Sequence, residues 1–140
     1  MQAGKAKFSF TKIIVDDLDR PATFYKAAFG MREMARIQDA LTPERPIEEI
    51  ILTLANDMTS EPPLVLFKFL GEPAPKASDV ILGFMVPDVD ATVERVRSAG
   101  GRVVRAPKDQ PDHGVRVAFA TDCDGRLLEI VQMLTVPAGH

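Results

Sequence analysis

From Phe8 to Val15 the chain reads Phe-Ser-Phe-Thr-Lys-Ile-Ile-Val, a run of strand formers ending at an Asp pair, which predicts a strand. Alternation puts Thr11, Ile13 and Val15 on one face and Phe10, Lys12 and Ile14 on the other. Asp17-Leu18-Asp19 then opens a helix, with Asp19 as its N-cap and Pro21 tolerated in the first turn. Ala22, Tyr25, Ala28 and Phe29 supply the apolar stripe, and Gly30 fits the position just past the end. Strands are expected at Met31 to Ile37, Ile47 to Leu54 and Leu64 to Phe69. Turn-prone stretches holding Pro43 and Pro46, then Asn56-Asp57 onward to Pro62-Pro63, separate them. Gly71 to Ser78, with Pro73 and Pro75, reads as a linker.

After the linker the pattern restarts. Val80 to Val86 is a strand, Asp90 caps a helix carrying Val93 and Val96, and Gly100-Gly101 ends it. Strands follow at Arg102 to Ala106, Val115 to Ala120 and Leu127 to Met133. Val15-Asp16-Asp17-Leu18-Asp19 superposes on Val86-Pro87-Asp88-Val89-Asp90 with a shift of 71 residues, and the same shift carries Gly30 onto Gly101. Helices that start and stop at one offset mark a structural repeat. Each half is β-α-β-β-β and cannot bury its sheet alone. The expected class is therefore α+β: two βαβββ modules, about residues 8–70 and 79–135, form a single domain of residues 1–140. Their sheets should close around a shared cleft, with the helices outside.

Composition narrows the partners. A length of 140 residues, 46% hydrophobic and 26% charged, suits one soluble globular unit. A net charge of −3 argues against a nucleic-acid partner, because neutralising phosphates needs a basic face. No apolar run is long enough to span a bilayer, and no long apolar stretch follows the basic N-terminal segment as a signal peptide requires. The single cysteine, Cys123, cannot form an internal disulfide, so the expected location is cytoplasmic.

Three segments resemble signatures of the vicinal-oxygen-chelate superfamily, which contains glyoxalase I, the bleomycin-resistance proteins and extradiol dioxygenases. Val15-Asp16-Asp17-Leu18-Asp19 with Phe24-Tyr25 and Gly30 is similar to its opening motif. Phe84 to Asp90 with Gly100-Gly101 is the second-module version. Phe119 to Glu129, through Asp122-Cys123-Asp124-Gly125, is similar to the closing motif, with Cys123 where proline is usual. The superfamily hosts lyases, isomerases, dioxygenases, thiol transferases and binding proteins on one scaffold.

The resemblance implies where a metal would sit. Family enzymes hold a divalent ion with His, Gln or Glu, one ligand from the first strand and one from the last strand of each module. Here those positions are Phe10, Leu66, Ile81 and Glu129. Only Glu129 is a ligand, and one carboxylate does not make a site for Zn²⁺, Ni²⁺, Mn²⁺ or Fe²⁺. The expectation is a protein without a cofactor, binding a small, largely apolar molecule in a cleft lined by Phe10, Lys12, Leu66, Lys68, Ile81, Met85 and Glu129. Lys12 and Lys68 would be cationic handles, or would pair with Glu129. Glu129 itself is the candidate general base or polar anchor. His113, in the loop Asp109 to Gly114, is a further candidate ligand contact.

Whether such a protein sequesters its ligand or turns it over as a cofactor-independent isomerase or lyase is left open by these residues. The rival is a metal-dependent glyoxalase-type lyase or dioxygenase drawing ligands from Glu48, Glu49 or His113. A homodimer is expected, because Phe24 beside Tyr25 and Phe29 gives the first helix more apolar width than one stripe needs.

Overall fold

The structure is a computed structural model that describes residues 4–57, 60–77 and 79–134. Ser78 of the expected linker, Thr135 at the expected end of the second module and His140 lie outside the described residues. The chain divides into two compact units. One runs to Ala22 and resumes from Met31 to Pro75; the other comprises Thr23–Gly30 and the chain from Lys76 onward.

The first unit holds β1 (Thr11–Ile14), β2 (Arg32–Ala40), β3 (Pro46–Thr53) and β4 (Leu64–Phe69), in the order β1-β4-β3-β2. β1 pairs with β4 in parallel and the other neighbours are antiparallel. Lateral partners share a face, so Ile13, Leu66 and Ile50 form one row. All three are buried, as are Leu52 and Leu64 on the same face.

Helix α1 (Asp19–Phe29) begins in the first unit and ends in the second. Asp19 lies inside the helix instead of capping it; the Asp17 side chain accepts the Asp19 N–H at 3.0 Å. In the second unit α2 (Val89–Ser98) is capped by Asp88, whose Oδ1 accepts the Ala91 N–H at 3.0 Å. The expected cap, Asp90, sits in the first turn and pairs with Arg116. Asp17 and Asp88 are related by the repeat shift, so both modules use the acid that closes the Val-x-Asp segment.

The second sheet repeats the first: β5 (Leu82–Met85), β6 (Arg102–Gln110), β7 (Val115–Thr121) and β8 (Leu127–Met133), in the order β5-β8-β7-β6. α2 packs on β6, β7 and β8. Its buried Val89, Val93 and Val96 belong with Leu128, Ile130, Ala118 and Ala120, all fully buried. Gln132, on the same face of β8, accepts the Val89 N–H at 2.8 Å and fixes that face as the helix-covered one.

Two glycines end α2 for different reasons. Gly100 takes the left-handed conformation at φ 107°, whereas Gly101, the repeat partner of Gly30, does not. A Cβ on Gly101 would collide with the Thr121 carbonyl, lie 2.6 Å from Val96 and 3.1 Å from the Phe24 ring. Gly101 is a packing glycine. Phe24 is only 1% exposed within the single chain, so it is not the surplus apolar surface expected to face a partner.

The buried Asp122 carboxylate organises the turn between β7 and β8. Its Oδ2 accepts the Tyr25 hydroxyl and an Arg126 guanidinium N–H, each at 2.6 Å. Its Oδ1 accepts the backbone N–H of Asp124 at 2.8 Å and of Arg126 at 2.9 Å. Gly125, at φ 88°, completes the turn. Burial, reinforced by the Asp122 charge, pushes the Tyr25 hydroxyl well above its ordinary value. Burial alone would lower the Arg126 pKa, but Asp122 and Tyr25 outweigh it and leave it raised.

Two outcomes are expected. Gly101→Ala overpacks the contact and should cost about 1–3 kcal/mol in a urea denaturation; an unchanged midpoint would show that the neighbours yield freely. Tyr25 keeps its proton in the fold above pH 10.0, where an unfolded tyrosine ionises. Its contribution is therefore complete below that pH and drains away as pH rises beyond it. Tyr25→Phe should be less stable than the parent at neutral pH, by about 1.5–3 kcal/mol, with a shallower alkaline decline. Parallel stability curves for the two proteins would refute this.

Candidate functional site

On the first sheet one ion pair lies on the face opposite Leu66. Lys12 aligns with Val65 on β4, and its ammonium lies 2.8 Å from Glu49 on β3. It also sits 4.8 Å from the Phe67 ring centroid and 5.7 Å from that of Phe10. Phe10, half-exposed and just before β1, thus shares the Lys12 side as alternation predicts. Leu66 and Lys68 do not. Leu66 aligns with Ile13, is fully buried and faces away from Lys12, and Lys68 follows it by strand parity. Both leave the candidate site. Val65 and Phe67 take their place.

The faces of β4 are ambiguous in sequence for a physical reason. Leu64 to Phe67 is an unbroken apolar run, so alternation assigns no face, and all four residues are buried. The paired register settles it. Gly83 aligns with Glu129 on β5 and β8, and Lys12 aligns with Val65 on β1 and β4. Lys12 is Gly83 displaced by the repeat shift, so Val65, not Leu66, is the first-module counterpart of Glu129.

On the second sheet the uncovered face bears one transverse row: Gly83 on β5, Glu129 on β8, Phe119 on β7 and Arg105 on β6. The Arg105 guanidinium lies 4.8 Å from the centre of the Phe119 ring. Glu129 is half-buried. Ile81 and Met85 flank Gly83 on the same face and are 56% and 64% exposed, high values for large apolar side chains. Sequence reasoning missed Gly83, Phe119 and Arg105, because pairing across strands is invisible in a linear pattern.

The remaining candidates disperse. His113 ends a short 3₁₀ turn (Pro111–His113) and is exposed. Glu49 is committed to Lys12, whereas Glu48, next to it on β3, points to the opposite face. Arg97 pairs with Glu94 on the solvated side of α2, and Arg95 donates to the Ala28 carbonyl and the Thr92 hydroxyl. Among the described residues, no group of three or more His, Cys, Asp or Glu side chains is placed to hold a metal ion. No helix among them is long and apolar enough to cross a membrane.

The sequence over residues 7–130 matches the Glyoxalase/Bleomycin resistance protein/Dioxygenase superfamily. The chain belongs to that superfamily. It is 31% identical over 137 residues to a lactoylglutathione lyase of Haemophilus influenzae, covering 92% of this chain and 94% of that protein. It is 30% identical over 128 residues to a lactoylglutathione lyase of Arabidopsis thaliana, covering 88% of this chain but 43% of that protein. The chain spans less than half the length of the plant relatives it matches. A glyoxalase family protein from Bacillus cereus superposes with a TM-score of 0.81 at 18% identity, covering 96% of this chain and 99% of that one. That likeness bears on the fold.

The paired register carries the four positions that the family resemblance implies for metal ligands onto Phe10, Val65, Ile81 and Glu129. Three are hydrocarbon. Such a set does not fit a divalent ion, which needs three or four converging N, O or S donors.

The Lys12–Glu49 pair yields an asymmetric prediction, because the lysine side chain is 37% exposed and the glutamate 12%. Lys12→Met strands a nearly buried carboxylate and should cost about 1–3 kcal/mol. Glu49→Gln leaves a lysine that can turn to water and should cost at most about 1 kcal/mol. Equal losses in chemical denaturation would mean that Glu49 draws its stability from something other than Lys12.

Proposed function

We propose that this superfamily member binds a small, largely apolar molecule against exposed apolar side chains of its sheets without a resident metal. The observation that carries the reading is the hydrocarbon character of three of the four donor positions. Apolar side chains there remove a Lewis acid and leave surface suited to a flat or greasy ligand.

The exposed apolar side chains proposed for ligand contact are Phe10 on the first unit and, separately, Ile81 and Met85 on the second, where Gly83 and Glu129 lie beside them. Lys12 is recast. Its charge is already met by Glu49, so it serves less as a handle for an anionic ligand than as part of a neutral pair bordering apolar surface. Glu129 is the polar anchor. Sequestration is the simplest outcome of this chemistry.

The rival is metal-dependent lyase chemistry, favoured by the activity that names the relatives. Its ligands would have to come from residues such as Glu48, Glu49 or His113, which lie on different faces or stay in an exposed turn.

Elemental analysis of untagged protein, joined to native mass spectrometry that retains small molecules, tests the reading directly. Expected are substoichiometric divalent metal, a melting temperature unchanged by chelator, and a bound organic species. Stoichiometric metal whose removal lowers the melting temperature or releases the ligand would establish the rival.

A further inference from the structure

We infer that Gly83 and Glu129 form a recognition notch for an organic cation, a protonated amine or amidine carried on a flat ring. This rests on the metal-independent reading above and names the ligand class for part of that surface.

Gly83 stands in the middle of β5, where glycine weakens a strand. Neither conformation nor crowding demands it: its φ is not in the left-handed region, and a Cβ built there meets nothing within 4 Å. The missing side chain leaves open space directly beside Glu129, its lateral partner. The repeat sharpens the point, since the equivalent position in the first module is Lys12, a long side chain lying across its sheet. Where one module fills the position, the other empties it.

The space has apolar walls and one charged group. Ile81 and Met85 project on either side of Gly83 and are largely exposed. Glu129 forms no hydrogen bond or ion pair among the described residues, although it is half-buried. A carboxylate in that setting gains most from a charged donor that brings its own apolar body.

Arg105 decides on which side the ligand lies. Its guanidinium stacks on Phe119, across β7 from Glu129, and repels a second cation on that flank. The Gly83 side carries no such charge in the row. The cation is therefore received over Gly83, with its ring against Ile81 and Met85.

Benzamidine, neutral benzamide and anionic benzoate are matched probes, titrated by calorimetry or NMR into the full chain in chelator. Benzamidine should bind at least about tenfold more tightly than benzamide, the scale of one charge-assisted hydrogen bond, and benzoate more weakly than either. Glu129→Gln should erase the preference between benzamidine and benzamide. Gly83→Leu, which fills the notch, should weaken benzamidine about tenfold while the melting temperature holds; Gly83→Ala is the smaller step if the leucine variant does not fold, and should weaken it measurably. Failure of benzamidine to bind, equal affinity for benzamide, or indifference to both Gly83 substitutions would overturn the inference. Metal content of the same preparation is read separately. A metal-free protein without cation preference sinks the notch alone, whereas chelator-sensitive stoichiometric metal sinks the broader reading.

Discussion

One carboxylate holds together the part of the molecule on which the second sheet depends. Asp122 receives four hydrogen bonds, two from backbone N–H groups of its own turn and two from the buried Tyr25 and Arg126 side chains. A buried anion with only some of these partners would be costly, and a buried arginine without the anion costlier still, so the set is retained or lost together. The consequence is directional. The turn sets where β8 begins after β7, and the start of β8 decides which of its side chains lie under α2 and which are left uncovered. Shifting that strand by one residue would bury Glu129 and expose Ile130.

The two sheets share a topology but divide their chemistry differently. In the first, the position beside the β1–β4 seam carries Lys12, neutralised by Glu49 and set against aromatic rings. In the second, the matching position is empty, and the carboxylate next to it has no charged partner among the described residues. The two units keep the same strand order and hydrogen-bond ladders, because those sustain each sheet. Side chains beside the β1–β4 and β5–β8 seams carry no such obligation, and there the modules diverge. Superfamily membership therefore describes the ladders better than it describes the surface where a ligand would be met.

Both the overpacked Gly101→Ala contact and the uneven Lys12–Glu49 pair arise from neighbours contributed by distant segments, and that separation divides what the chain discloses from what it conceals. Its periodicity, its 71-residue repeat and its Val-x-Asp and Asp-Cys-Asp-Gly segments determined two βαβββ modules, their order and their superfamily. They also determined that Phe10 and Ile81 cannot ligate a metal. These properties are local or repetitive: each depends on a few adjacent residues, or on the same residues appearing twice.

Tertiary structure alone decided which residues of β4 share a face with Lys12, since Leu64 to Phe67 is apolar at every position and only pairing with β1 and β3 breaks the tie. It decided that Asp17 and Asp88 serve the helix starts, although neighbouring acids compete in sequence. It turned Tyr25 from a core aromatic into a partner for a carboxylate 97 residues away. And it brought Gly83 beside Glu129. Alternation tells a residue which way to point relative to its chain neighbours; which strand lies alongside, and in what register, is settled only when the sheets form.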